Sequence, residues 1–258
     1  GFELAIVPAR SPEYKEAMKD AEYLVGFVDG LVDEQLFKDG PKLKLIQLLS
    51  AGYDSADLEA TKRAGVPLCN NGGANSPAVS EHAILLMLAV SRQLVRQHKS
   101  VSSGNWRGNS TPRVHEVGGK TLGIIGLGTI GKKTARLAKA FGMQVNYYDI
   151  ARLTADQEDA LGVRFRLLRE LLRTSDIVSL HTPLNASTHH LIGAEELKLM
   201  QPHAILVNTA RGPVIDEAAL YQALTDGTIT AAGLDVFDQE PPKPDNPLFT
   251  LDNVILTA

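Results

Sequence analysis

The sequence predicts an α/β protein, a doubly wound parallel sheet with a second, smaller α/β unit ahead of it. Three observations carry that prediction. Short apolar runs alternate with helix-like segments along most of the 258 residues. The apolar runs are continuous rather than alternating, as in parallel strands covered on both faces. A glycine-rich turn, Gly126-Leu127-Gly128-Thr129-Ile130-Gly131, follows one such run and opens a helix-like segment.

Taken in order, strands are expected at Leu4–Val7, Tyr23–Val28, Lys44–Leu49, Thr121–Gly126, Gln144–Tyr148, Asp176–His181, Ala204–Asn208, Ala231–Val236 and Asn253–Thr257. Helices fill the intervals. In one of them Asp216 can cap, Glu217 favours the first turn, Ala219, Leu220, Ala223 and Leu224 share a face, and Gly227 suits the end. Asn70 to Pro77 is turn-rich, a single long helix is expected over Pro77–Val101, and Ser102–Gly119 reads as a surface loop. These shifts divide the chain into a small lobe at 1–74 and a larger, nucleotide-type lobe at 75–258 that begins with the bridging helix. The chain starts with almost no lead-in to its first strand and stops inside an apolar strand, Val254–Ala258, so a protein truncated at both ends is expected.

Composition narrows the function. With 44% hydrophobic and 22% charged residues the chain is ordinary globular material, which excludes disorder, collagen and a disulfide scaffold. Ala83–Val90, eight residues, is the longest clean apolar run, against ~20 for a membrane span. No basic stretch followed by an apolar one marks a secretory signal. Cys69 is the only cysteine, so neither an internal disulfide nor an all-cysteine metal site can form. A net charge of −4 gives no general attraction to nucleic acid or an anionic membrane. A cytoplasmic protein with no nucleic-acid or membrane partner is the expectation.

Gly126, Gly128 and Gly131 fit G-x-G-x-x-G. The first permits the tight turn, the second lets a pyrophosphate approach the backbone, and the third lets helix and strand pack. The following helix, with Ala135, Leu137, Ala138 and Phe141 as candidates for burial, presents amides and positive potential to phosphates. Asp149 ends the next strand 18 residues beyond Gly131, where an acid accepts both ribose hydroxyls of an adenosine and repels a 2′-phosphate. Together these features point to a Rossmann-type domain that binds NAD, with nearby Arg152 leaving some room for NADP. Gly126 to Lys132 also reads as the start of a phosphate-binding G-x-x-x-x-G-K loop. That reading fails at Lys133, where magnesium binding needs Ser or Thr.

Farther on, Asn208-Thr209-Ala210-Arg211-Gly212 and Asp235-Val236-Phe237-Asp238-Gln239-Glu240-Pro241 each follow an apolar run. Ligands of doubly wound sheets bind at the carboxyl ends of strands, which places Arg211, Asp235 and Glu240 where chemistry occurs. Alone, Arg211 reads more readily as a loop salt-bridge partner and Glu240 as a solvated loop acid.

With Leu49-Ser50-Ala51-Gly52-Tyr53-Asp54, Val79-Ser80-Glu81-His82, His181-Thr182-Pro183-Leu184 and Thr188, these segments resemble the D-isomer-specific 2-hydroxyacid dehydrogenases, in the family's order over nearly the whole chain. The resemblance implies an NAD-dependent oxidoreductase acting on a small 2-oxo or D-2-hydroxy acid. Thr129 and Ile130 would touch the pyrophosphate and Asp149 the ribose. Thr182, Pro183 and Thr188 would line the cofactor cleft, with His181 as a wall residue. Thr209 and Ala210 would meet the nicotinamide side through backbone groups, and Asp235 its carboxamide. Arg211 would hold the substrate, and Ser50, Ala51 and Gly52 would offer amides to its carboxylate. Glu240 would pair with a catalytic histidine. In the family pattern that histidine comes directly after Ala258, so 258 residues taken as the whole molecule are expected to bind NAD with little turnover.

Physical reasons support those roles independently. A guanidinium fork can bind the adjacent carboxylate and carbonyl of a 2-oxo acid and polarise the carbonyl. A proton must reach the carbonyl oxygen, which calls for a group titrating near neutrality, and a carboxylate beside an imidazolium stabilises and orients it. Glu81 and His82 read as helix-start and interface residues. Lys132, Lys133, Arg136 and Lys139 read as a solvated helix face, and Trp106 and Arg107 as loop packing. The resemblance also implies a homodimer formed through the bridging helix and the Ser102–Gly119 loop. Two further readings keep the fold. One is a non-catalytic NAD-sensing protein like the family's corepressor relatives, and the other is a bare nucleotide-binding fragment.

Overall fold

Strands exist by pairing, and the pairing in the computed structural model, which describes residue 1, residues 3–106 and residues 114–258, forms two separate parallel sheets. The chain divides into two units, Gly1–Asn75 and Ser76–Ala258. Arg107 and the middle of the Ser102–Gly119 segment lie outside the described residues.

The first unit pairs β1 (Tyr23–Gly26), β2 (Leu45–Leu48) and β3 (Leu68–Cys69) in that order, all parallel. Its helices are α1 (Pro12–Met18), α2 (Glu34–Asp39) and α3 (Leu58–Ala64), capped at their starts by Ser11, Asp33 and Asp57. Each cap side chain accepts a first-turn amide that otherwise has no partner. Tyr14, Met18, Leu36, Ile46 and Leu48 form the core. The expected strand at Leu4–Val7 is absent: the segment finds no ladder, and Leu4 and Ile6 are exposed. Strand β3, only two residues long, carries no periodicity to read.

The second unit contains α4 (Ser76–Ser91), α5 (Leu94–Ser102), β4 (Thr121–Ile125), α6 (Thr129–Ala140), β5 (Gln144–Tyr148), α7 (Ala155–Leu161), β6 (Val163–Phe165), α8 (Leu168–Thr174), β7 (Ile177–Leu180), α9 (Ala194–Leu199), β8 (Ile205–Asn208), α10 (Glu217–Thr225), β9 (Ala231–Leu234) and β10 (Val254–Leu256). The strands pair in the order β6-β5-β4-β7-β8-β9-β10, all parallel. The chain therefore winds outward from β4 through β5 and β6, returns to β7, and winds the other way. The reversal lies between β4 and β7, where such sheets bind ligands.

Strand residues alternate between two cores, the period-2 signature of a sheet buried on both faces. Ile125, Val178, Leu180 and Leu206 pack with α8 to α10. Leu122, Ile124, Ile177 and Val207 pack with α4 and α6. Helix α10 follows expectation, with Asp216 accepting from Ala219 N at 3.0 Å and Leu220, Ala223 and Leu224 buried.

Two expectations for the second unit are corrected, and one strand is added. The bridging helix is two helices bent by 58°, because Gln93 takes a left-handed conformation at φ 46° and ends α4. Phe141 is exposed and Leu137 only half-buried, because α6 ends at Ala140 and Phe141 leaves the inward stripe of Gly131, Thr134, Ala135 and Ala138. Strand β6 was not expected; it is three residues long with Arg164 at its centre. Among the described residues no single helix is long and apolar enough to cross a membrane.

One polar joint ties β4 to β7 at the end of the sheet away from the reversal's crevice. Asp176 accepts from Thr121 N at 2.8 Å, lies 2.8 Å from His203 Nε2, and is 3.4 Å from Lys120 Nζ. Burial disfavours its charge, but those donors outweigh burial and hold its carboxyl below the usual range. A depressed carboxyl stabilises the fold above its unfolded pKa and loses that contribution as pH falls through the folded one. Asp176→Asn should cost about 1–2 kcal/mol at pH 7. In urea unfolding, the gap between variant and parent should close as pH falls below the usual carboxylate range, where the parent's carboxyl protonates.

Candidate active site

The carboxyl ends of β4, β5, β7, β8 and β9 carry the predicted second-unit residues in two groups. The first surrounds the glycine turn. Gly126 has φ +92°, and a Cβ there would stand 2.8 Å from the carbonyl carbon of His181 and 2.9 Å from Thr182 N. A Cβ on Gly131 would stand 2.2 Å from the Gly126 carbonyl oxygen. Both positions therefore exclude side chains for reasons internal to the fold. Gly128 differs, because a Cβ there would meet nothing within 4 Å. It is the N-cap of α6 and offers no side-chain hydrogen bond to the helix's first amides. Gly128 and Thr129 are exposed, and Ile130 is half-buried. The site is thus an open helix N-terminus with donors aimed outward, suited to an anion.

Asp149 stands beside this turn. Its Oδ2 accepts from Leu127 N at 2.7 Å and its Oδ1 from Ala151 N at 2.8 Å. Two backbone donors fix the carboxylate plane, and each oxygen keeps a lone pair for a diol. Arg152 is held nearby by Glu158, 3.2 Å from its Nε, and lies 4.9 Å over the Phe165 ring. Glu158 in turn accepts from the buried Tyr147 hydroxyl at 3.0 Å.

His181 N donates to Ile125 O at 2.8 Å, and its Nε2 lies 3.0 Å from Ser179 Oγ. Burial pushes its pKa down to about 4. The ring is therefore neutral at pH 7. Thr188 Oγ1 donates to Pro183 O at 2.6 Å and accepts from Asn185 N at 2.9 Å, which closes the 183–188 turn from within.

The second group follows β8 and β9. Asn208, almost fully buried, accepts from Ala210 N at 3.0 Å and donates to Arg211 O at 2.9 Å, which shapes the Thr209-Ala210-Arg211 turn. Arg211 Nη1 donates to Ala210 O at 2.6 Å. A Cβ on Gly212 would lie 1.8 Å from Phe237 O, so the loops bearing Arg211 and Glu240 are pressed together. Asp235 N donates to Asn208 O at 3.0 Å. Its Oδ1 lies 2.7 Å from Thr257 Oγ1 and 3.0 Å from His82 Nε2. Glu240 is exposed and accepts from Phe237 N at 3.0 Å. Glu217 latches the same loop, accepting from Asp238 N at 3.1 Å and Asn246 Nδ2 at 2.6 Å.

Ser50, Ala51 and Gly52 belong to the first unit. Ser50 Oγ donates to Gly52 O at 2.8 Å, and Asn70 Nδ2 donates to Ala51 O at 2.7 Å. Sequence reasoning missed Asn70, Asn208, Glu217 and Thr257. Asn208 alone left a signal, a polar residue closing four apolar positions.

A dinucleotide fits what this second unit offers. His181 Nδ1, Thr182 Oγ1 and Thr209 Oγ1 are buried with no hydrogen-bond partner among the described residues. Buried polar atoms are ordinarily paired, and all three follow β7 or β8. With the open amides of α6 and the oriented Asp149, they form a polar lining at the topological reversal.

Comparison with known proteins agrees. The NAD binding domain of the D-isomer specific 2-hydroxyacid dehydrogenases matches residues 84–258. The chain is 43% identical over 263 residues to the glyoxylate reductase of Korarchaeum cryptofilum, across 99% of this chain and 79% of that one. It is 43% identical over 246 residues to the D-3-phosphoglycerate dehydrogenase of Methanocaldococcus jannaschii, across 95% of this chain and 46% of that one. The solved structure of a D-lactate dehydrogenase from Aquifex aeolicus, complexed with NAD and lactic acid, superposes with a TM-score of 0.85 at 34% identity, across 96% of this chain and 78% of that one.

Fold and lining define a nicotinamide-dinucleotide oxidoreductase with a Rossmann-type domain. The chain belongs to the D-isomer specific 2-hydroxyacid dehydrogenase family, whose NAD-linked reaction interconverts 2-oxo and 2-hydroxy acids.

The glycine geometry makes a differential prediction. Gly128→Val should leave the urea unfolding midpoint near the parent's while weakening NADH binding at least 100-fold by fluorescence titration. Gly131→Val should lower the midpoint itself, because its side chain has no space.

Proposed function

We propose that the protein reduces a small 2-oxo acid of the glyoxylate class with NADH, and that the site residues act as the resemblance implies. The observation that carries this reading is the pairing of loops at Gly212 and Phe237, which holds the Arg211 turn against the Asp235–Glu240 loop at the ends of neighbouring strands. The glyoxylate reductase relative supports the choice of substrate.

In this reading the lobe at 75–258 binds cofactor and the lobe at 1–74 binds substrate. Amides of Thr129 and Ile130 hold the pyrophosphate beside Gly126, Gly128 and Gly131, and Asp149 holds the adenosine ribose. His181, Thr182, Pro183 and Thr188 line the cofactor, Thr209 and Ala210 face the nicotinamide, and Asp235 accepts from its carboxamide. Bound NADH supplies a hydride to the carbonyl carbon. Arg211 clamps the carboxylate and polarises the carbonyl, while Ser50, Ala51 and Gly52 donate amides to the carboxylate. A histidine paired with Glu240 delivers the proton, its imidazolium favoured by that carboxylate. The neutrality of His181 supports assigning the proton to another residue. A cytoplasmic homodimer, without nucleic-acid or membrane partners, is part of the reading; Leu94, Val95 and Val101, exposed on α5, support a self-contact there.

The test is NADH oxidation on mixing with glyoxylate, hydroxypyruvate or pyruvate, by this chain and by the same chain extended by one histidine. The extended chain should turn over, and the shorter should be slower by ~10²–10⁴, the usual contribution of a positioned general acid. Arg211→Ala in the extended chain should lose both binding and turnover. No oxidation by either chain with any of the three acids would contradict the reading. Equal rates from both chains would move the proton-donor role elsewhere.

Cofactor choice gives a separate expectation. NADH should bind more tightly than NADPH, since Asp149 repels a 2′-phosphate, and Asp149→Ser should narrow the difference. Equal affinities in the parent would contradict this role for Asp149.

A further inference from the structure

Helix α4 passes close over β9, since a Cβ on Gly233 would stand 3.0 Å from Leu86 Cβ. One helical turn before Leu86, His82 turns toward the carboxyl ends of β9 and β10. Its Nε2 lies 3.0 Å from Asp235 Oδ1 and 2.8 Å from Thr257 Oγ1, and Thr257 Oγ1 lies 2.7 Å from the same Asp235 oxygen. Three groups from α4, β9 and β10 therefore meet at one carboxylate oxygen.

The proton inventory of this cluster is restrictive. Thr257 has one hydroxyl hydrogen, and its shortest contact is with Asp235 Oδ1. With that hydrogen donated to the carboxylate, the Thr257 oxygen can only accept from His82. Nε2 must then carry a proton, shared between Asp235 Oδ1 and Thr257 Oγ1. Oδ1 is occupied by two donors, while Oδ2 carries no hydrogen bond among the described residues. A carboxylate held by one oxygen presents the other in a fixed direction, ready to accept an amide N–H.

We propose that His82 is a positioning residue for cofactor recognition: it pins Asp235 Oδ1, with Thr257, so that Oδ2 meets the carboxamide N–H of the nicotinamide. This rests on the role given to Asp235 above and extends it to a residue on α4 that acts through Asp235. The helix is thereby coupled to the nicotinamide end of the site and not to the adenosine end.

ADP-ribose shares the adenosine, pyrophosphate and ribose of NADH and lacks the nicotinamide, so it separates positioning from general damage. NADH and ADP-ribose are titrated into the parent, His82→Gln, His82→Asn, His82→Ala and Asp235→Ala, with unfolding midpoints measured alongside. Glutamine places an amide N–H near the Nε2 position, whereas asparagine is too short. His82→Ala and His82→Asn should weaken NADH about 10- to 100-fold, as loss of a hydrogen bond to a charged group does. ADP-ribose affinity should stay within about twofold, well inside a 1.4 kcal/mol decade, and His82→Gln should recover most of the NADH loss. Equal losses for both ligands, unchanged NADH affinity in His82→Asn, or glutamine behaving like asparagine would overturn the proposal. The parent role is tested separately. If Asp235→Ala keeps parental NADH affinity, the carboxamide assignment fails and this inference with it. If Asp235→Ala loses affinity and His82→Asn does not, only this inference fails.

Discussion

The close approach of Gly126 to the backbone of His181 and Thr182 is the constraint on which the rest of the site depends. It lies where the sheet reverses its winding, between β4 and β7, and brings two strand ends nearer than any side chain allows. Gly131 repeats the constraint one turn into α6 by packing on the Gly126 carbonyl. The helix N-terminus is therefore held at the lip of the crevice, with Gly128 facing open space. Its open amides result from close packing beneath them, and the buried, unpartnered atoms of His181, Thr182 and Thr209 border the same crevice.

The loops after β8 and β9 rely on a second device of the same kind. Gly212 packs against the Phe237 carbonyl, Asn208 shapes the turn before it, and Glu217 ties down the loop after it. Arg211, Asp235 and Glu240 thus sit on backbone that is bonded from several directions. A guanidinium is useful in catalysis only when held to within a fraction of an ångström, and that precision comes from such supporting contacts.

Much of this was legible in the sequence because backbone constraints leave compositional traces. The glycines at 126, 128 and 131, the acid at 149 and the strand-ending positions of Arg211 and Asp235 could all be read from residue type and spacing. The supporting contacts could not. Asn208 to Arg211 is local, but Glu217 to Asp238, Asn70 to Ala51 and His82 to Asp235 join residues distant in sequence, and only folding reveals such pairs. The break between α4 and α5 leaves no trace in composition, because Gln93 adopts a positive φ with neither glycine nor proline to mark it. The segment Leu4–Val7 misled for the opposite reason. It has strand composition, and propensity without a pairing partner makes no strand.

The most direct test of the account is the structure of the protein crystallised with NADH. The pyrophosphate should lie against the amides of Thr129 and Ile130, over the exposed face of Gly128. The adenosine ribose hydroxyls should sit within hydrogen-bond reach of Asp149, and the nicotinamide carboxamide within reach of Asp235 Oδ2. A dinucleotide bound elsewhere, or one whose pyrophosphate avoids the start of α6, would contradict the account.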